Sequence, residues 1–155
     1  MKKAIGWFVS AAACTILVVG CASFDGGDER QLRALVDAML TALNRADIDA
    51  LEQLFTTDAT AFLPIGQVAG ELVGRTAIRD ALEPFLDEVR ARGGGPEYMH
   101  LTAGRVRVQI VGEAAVVIFD AGSGPVTSRR TLVTEKVGGE WKIIHFHGSN
   151  IRREQ

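Results

Sequence analysis

Four side chains in the C-terminal half carry groups suited to proton transfer or metal binding: Tyr98, Asp120, His145 and His147. Asp120 ends the apolar run Ala114–Phe119, so its carboxylate is a candidate for the mouth of a pocket, where a raised pKa would fit it to act as a base. The plainer role, and the weightier one here, is a strand-end aspartate that bonds the following Gly122-Ser123-Gly124 turn. Tyr98 is the only tyrosine; its hydroxyl suits donation to a ligand carbonyl, although tyrosine near a strand start more often packs partly into the core. His145 and His147 stand two residues apart, which puts both imidazoles on one face of a strand. A zinc ion there would need a third ligand such as His100 or a carboxylate, and the spacing fixes none, so neither a metal nor a cofactor is expected. The bland alternative is a pair of hydrogen-bonded imidazoles at a sheet or subunit contact, with a pKa close enough to neutrality for the contact to sense pH. Other chemistries lack their signatures. Gly93-Gly94-Gly95 follows a helical stretch instead of preceding one, no cysteine is free as a nucleophile, and Ser149 has neither elbow nor placed acid.

The histidines lie on the stretch Trp141–Ile151, rich in β-branched and aromatic residues and preceded by the turn signal Gly138-Gly139. Strict alternation groups Trp141, Ile143, His145, His147 and Ser149 on one face and Lys142, Ile144, Phe146 and Gly148 on the other. Large apolar groups on both faces predict a central strand covered on each side. Upstream, Asp25 or Asp28 caps a helix whose Leu32, Leu35, Val36, Met39, Leu40 and Leu43 recur at helical spacing, the strongest periodic signal in the chain. Asp47 caps a short second helix through Ile48, Leu51, Leu54 and Phe55. Thr56-Thr57-Asp58 then turns into a brief strand, Ala59–Leu63, which pairs with a second around Glu71-Leu72-Val73. A third helix from Gly74 or Thr76 buries Ile78, Leu82, Phe85, Leu86 and Val89, and Pro84 within it predicts a kink or a fresh helical start. Four strands follow, about Tyr98–Ile110, Ala114–Ala121, Val126–Lys136 and Trp141–Ile151, joined by short turns as an antiparallel meander.

The amino terminus reads separately. Met1-Lys2-Lys3 precedes an apolar run from Ala4 to Gly20, the pattern of a secretory signal. Leu17-Val18-Val19-Gly20-Cys21 resembles a bacterial lipobox, which implies lipidation of Cys21, residues 1–21 as the signal and residues 22–27 as a short linker. The alternative is an uncleaved membrane helix, since Ala4–Gly20 is close to the shortest usable span. Either places residues 28–151, one domain, and the tail 152–155 outside the cytoplasm, attached to a membrane. Ala22 resembles a sorting signal for the outer membrane, facing the periplasm. Cys14 and Cys21 are the only cysteines, so the mature domain has no disulfide and depends on its core. A net charge of −2, with no long basic run, argues against a nucleic-acid partner.

Helices, a short strand pair and a four-stranded meander make an α+β layout. On three stretches, Leu54-Phe55-Thr56-Thr57-Asp58-Ala59, Gly74-Arg75-Thr76-Ala77-Ile78 and Gly139–Ser149, the chain resembles the nuclear transport factor 2-like superfamily, within it the SnoaL-like group and the association domain of calcium/calmodulin-dependent protein kinase II. The resemblance implies a cone of helices packed on a curved, mainly antiparallel sheet, a pocket between them and a homodimer formed through the outer sheet face. Such association domains carry pocket arginines at positions that correspond here to Leu132 and Gly148. If those two face the cavity, alternation adds Arg130, Ile144 and Phe146 and turns His145 and His147 away. Arg130 then restores one positive charge, against the weightier alternative of a solvated strand residue paired with a carboxylate. Together these readings imply a lipid-anchored envelope protein that binds a small hydrophobic ligand or mediates assembly without catalysis. The alternative is an isomerase, dehydratase or cyclase acting on a small carbonyl compound, with Asp120 or a histidine as base and Tyr98 or Arg130 as donor. A third reading is a structural partner that docks through the histidine face.

Overall fold

The structure is a computed structural model that describes residues 26–66, 68–123 and 126–152. The expected signal, Cys21 and most of the linker lie outside the described residues, as do 153–155. Helix α1 (Gly26–Asn44) begins within the expected linker and buries Leu32, Leu35, Val36, Met39 and Leu40 along one stripe. Asp47 caps α2 (Ile48–Glu52) by accepting a 2.9 Å bond from the Ala50 N–H. That helix stops short of its expected end. Phe55 opens strand β1 (Phe55–Phe62), and Thr56-Thr57-Asp58 lie within the strand instead of forming a turn. Aromatic and β-branched residues favour the pleat, and the pairing partner is the last strand of the chain, a non-local contact with no local signature. β2 (Leu72–Val73) pairs antiparallel with β1. Helix α3 (Arg75–Ala91) runs unbroken through Pro84, which lies on the exposed face together with Asp80, whose carbonyl loses its helical donor there and is free to bond water.

Strands β3 (Thr102–Val111), β4 (Ala114–Ser123), β5 (Val126–Val137) and β6 (Glu140–Arg152) form the expected meander, except that residues 98–101 stay irregular. The sheet order is β2-β1-β6-β5-β4-β3, antiparallel except for β1 beside β6. Helices pack on one face. Ala115, Val117, Phe119 and Ala121 of β4, with Leu132 of β5, supply the buried side of the sheet. Phe119, Leu132 and Ile143 are each at most 1% exposed, and burying a side chain of this size stabilises by roughly 1.5–3 kcal/mol.

Strand β6 breaks strict alternation. Val133 pairs with His145 but the next residue, Thr134, pairs with Ile143, so Ile144 is an extra residue in a β-bulge. The bulge keeps Trp141 and Ile143 buried on the helical side and brings Phe146 and Gly148 to that same side. The grouping of Trp141 and Ile143 with the two histidines is therefore corrected: His145 and His147 lie on the outer face. Ile144 is half-buried at the bulge.

Polar contacts fix α1 at both ends. Near its start the Asp28 carboxylate accepts bonds from Lys136 Nζ at 2.6 Å and Trp141 Nε1 at 3.1 Å, tying the helix to the β5–β6 hairpin. At its end the Asn44 side chain exchanges two bonds with the backbone of Leu101, at 2.8 and 3.0 Å. The Lys136 bond, then that of Trp141, holds the Asp28 carboxyl below its usual range. A carboxylate depressed in the folded state contributes stability above its unfolded pKa of about 3.9 and loses it as pH falls through the lower folded value. Asp28→Asn is accordingly expected to melt at a lower temperature than the parent protein at pH 7, with the gap closing below about pH 4, as scanning calorimetry across pH would show.

Candidate functional site

A cavity in two lobes, each about 150 Å³, lies between the inner face of β5 and β6 and the helices. Met39, Leu51, Phe55, Leu63, Pro64, Leu82 and Phe146 line the first lobe. Met99, Leu101, Ala121, Gly122 and Ser128 line the second, and Leu43, Phe85, Arg130 and Asn150 border both. The stripe of α1 and the buried side of α3 supply the apolar wall, so the same periodicity that packs the helices shapes the cavity.

Arg130 stands where the lobes meet. Its residue pair across the antiparallel ladder is Gly148, and a Cβ on that glycine would collide with Arg130 Nη1 and with the Pro64 ring. The missing side chain at position 148 thus makes the space into which the guanidinium folds. Its Cζ lies 5.5 Å from the centre of the Phe146 ring, a cation–π contact. Nη1 is sealed from water and has no hydrogen-bond partner among the described residues, nor does any carboxylate among them pair with the group. Burial pushes the Arg130 pKa down to about 10, which leaves it a cation at neutral pH. The expectation of a solvated, carboxylate-paired arginine is overturned. Desolvation in an apolar wall, opposite a glycine, is the reason.

Two other polar groups reach the cavity. Asn150 donates through Nδ2 to the Pro64 carbonyl at 3.0 Å, tying the end of β6 to the segment after β1. Ser128 donates to the Ser149 carbonyl at 3.3 Å. Sequence reasoning did not single out Asn150, although period two from Phe146 through Gly148 reaches it. Among the described residues no Asp or Glu lines either lobe.

The remaining candidates lie elsewhere. Leu132 has no exposed surface and sits in the sheet core without lining the cavity, and Ile144 is the bulge residue. Asp120 alternates with buried Phe119 and Ala121, so its carboxylate faces outward, where Arg105 binds it through Nε at 2.9 Å and Nη2 at 2.5 Å. It lies in a shallow outer depression of about 340 Å³ with Ile118, Thr131, His147 and Ser149, and not at the cavity mouth. Tyr98 packs half-buried against the core with its ring over Gly95, outside both lobes. His145 Nδ1 is 2.7 Å from Thr60 Oγ1, and the exposed Phe62 ring lies 6.0 Å from His145 and 5.7 Å from His147 between centroids. Among the described residues no three His, Cys, Asp or Glu side chains gather as a metal site. Among the described residues no pair of acid and base faces the cavity.

Residues 32–153 match the family model of the SnoaL-like domain. The chain belongs to this family. No curated protein matches it. Solved structures similar to this SnoaL-like domain include a nuclear transport factor 2-like protein of unknown function from Pseudomonas putida KT2440, 24% identical, with a TM-score of 0.66 over 80% of this chain and 87% of the other. A candidate dehydratase of the same fold family from Streptomyces avermitilis is 19% identical, with a TM-score of 0.68 over 81% and 97%. The calcium/calmodulin-dependent protein kinase II hub of S. rosetta is 22% identical, with a TM-score of 0.62 over 79% and 95%. At these identities the likeness establishes the fold, the α+β cone expected from the three sequence stretches, and leaves activity to the residues of the site.

Proposed function

We propose that this SnoaL-like domain is a lipid-anchored binding module of the bacterial envelope that takes up a small, largely apolar ligand between its helices and sheet. The observation that carries the reading is the two-lobed cavity with its apolar wall and, among the described residues, no facing acid–base pair. An enzyme of the isomerase or dehydratase kind needs a base and a donor converging on one substrate atom. Asp120, bound to Arg105 on the outer face, and Tyr98, packed over Gly95, do not meet that need. Leu43 borders both lobes, so one substitution there tests both. Leu43→Trp should abolish the fluorescence of an apolar dye such as anilinonaphthalene sulfonate bound by the folded protein while leaving the far-ultraviolet circular dichroism unchanged. Undiminished dye binding in the folded variant counts against the cavity as the site.

The anchoring part of the reading rests on the lipobox-like residues Leu17–Cys21. No helix among the described residues is long and apolar enough to cross a membrane. Cys21→Ser should move the protein from the membrane pellet to the soluble fraction of cells, and retention in the pellet favours an uncleaved apolar helix instead.

Pairing of two copies through the outer sheet face belongs to the same proposal. Its support is a face that exposes Phe62 and Ile118 and that no helix among the described residues covers. Sedimentation of residues 23–155 at micromolar concentration should give a dimer that Phe62→Asp converts to monomer; a monomeric parent fragment excludes the pairing.

A further inference from the structure

We infer that the ligand of the cavity is a monocarboxylate with a compact apolar body, its carboxylate gripped by Arg130. The inference rests on the binding reading above and adds the charge and size of what is bound. Three observations carry it. First, Arg130 borders both lobes and has no carboxylate partner among the described residues; its Nη1 is packed at Gly148 and Pro64 without a hydrogen-bond partner, which leaves Nε and Nη2 as the fork a ligand can reach, in a wall with no acidic side chain among the described residues. A buried cation of this kind is costly unless an anion or several acceptors complete it.

Second, the other polar groups on the wall are already engaged. Asn150 Nδ2 spends one of its two N–H groups on the Pro64 carbonyl and Ser128 Oγ its hydrogen on the Ser149 carbonyl, so the guanidinium is the charged donor on the wall. Its planar fork matches the two oxygens of a carboxylate. One cation in apolar surroundings balances one negative charge, whereas a phosphate dianion would bring a second charge with nothing to offset it.

Third, the space has a size. Each lobe, open on one side, has an accessible volume of about 150 Å³, the size of a cavity that accepts a molecule as large as benzene. With Arg130 at the junction of two such lobes, the apolar body is one ring or a short chain, about six to ten carbons in all when both lobes are used.

Calorimetric titration of the folded domain with three acid–amide pairs separates this inference from the reading beneath it: phenylacetate with phenylacetamide, hexanoate with hexanamide, and octanoate with octanamide. Each pair keeps shape and changes charge. The acids are expected to bind at least about tenfold more tightly than their amides, the effect of one charge-assisted bidentate contact out of water. Arg130→Met should erase that preference while still binding the amides. Without ligand the same variant should melt at a higher temperature than the parent, because it removes an unpaired buried charge and keeps the apolar stem. Amides that match or exceed the acids in the parent protein overturn the carboxylate assignment and leave the apolar cavity standing. If no member of any pair binds at millimolar concentration, the cavity reading falls together with it. An Arg130→Met variant that melts below the parent protein also overturns the assignment, since it would show that the guanidinium already has a structural partner.

Discussion

The bulge at Ile144 is the constraint on which the site depends. A strand exposes alternate residues to opposite faces, and one inserted residue reverses that assignment for everything beyond it. Trp141 and Ile143 must face the helices, because Trp141 meets Asp28 at the start of α1 and Ile143 is fully buried. Phe146, Gly148 and Asn150 must face the same way to line or border the cavity. No regular strand satisfies both. Continued without the extra residue, the inward set would be His145, His147 and Ser149, and the wall would be polar. The pairing of β1 with β6 shows a matching irregularity, with register shifting between Phe55 and Thr60 opposite Ile143 and His145. Strands β1 and β6 therefore change phase at the same level of the sheet, which bends it around the helices.

The cavity exists because the helices are held at a distance that their side chains do not fill. Asp28 and Asn44 secure α1 at its two ends, and Arg79 bridges α3 to α2 through Asp49 and Glu52, each at 2.6 Å. These two carboxylates, Asp49 first, raise the Arg79 pKa above its ordinary value. Exposed ion pairs contribute only about 0–1 kcal/mol each, so the core between sheet and helices holds the fold and the polar ties set the orientation of the helices. Leu132 and Phe119 pack solidly beneath the sheet end of the cavity, while Leu43 and Phe85 stay half-buried around it.

Much of this was legible in the sequence, and the gaps have identifiable causes. The stripes of α1 and α3, the Asp47 cap and the four-strand meander follow from local periodicity and turn residues, and the three family-like stretches pointed to the cone. Phe55–Asp58 read as helix end and turn because its strand partner lies some 85 residues away, as the separation of Thr60 from His145 illustrates. The direction of Asp120 was hidden for a different reason. The run Ala114–Phe119 is apolar on both faces, with Val116 and Ile118 as hydrophobic as Val117 and Phe119, so composition carries no parity. Only the burial of Val117 and Phe119 in the fold shows that Asp120 points outward. Ile144 misled the reading of the cavity wall because bulges leave no mark when the inserted residue is itself a good strand former.

The same parity explains why Arg130 is alone. Phe119 is its partner on β4, while Asp120 stands opposite Arg129. Adjacent positions on a strand face opposite sides of the sheet, so the carboxylate one step away in sequence cannot reach the guanidinium without another bulge. Asp120 is instead bound by Arg105 on the outer face. On the other side, Gly148 offers Arg130 room and no charge. At positions 132 and 148, where the resemblance in sequence implied arginines, this chain has leucine and glycine, and Arg130 reaches the cavity from the strand position opposite the glycine. The guanidinium keeps its place through the Phe146 ring. Such a wall presents charge at one point and apolar shape around it.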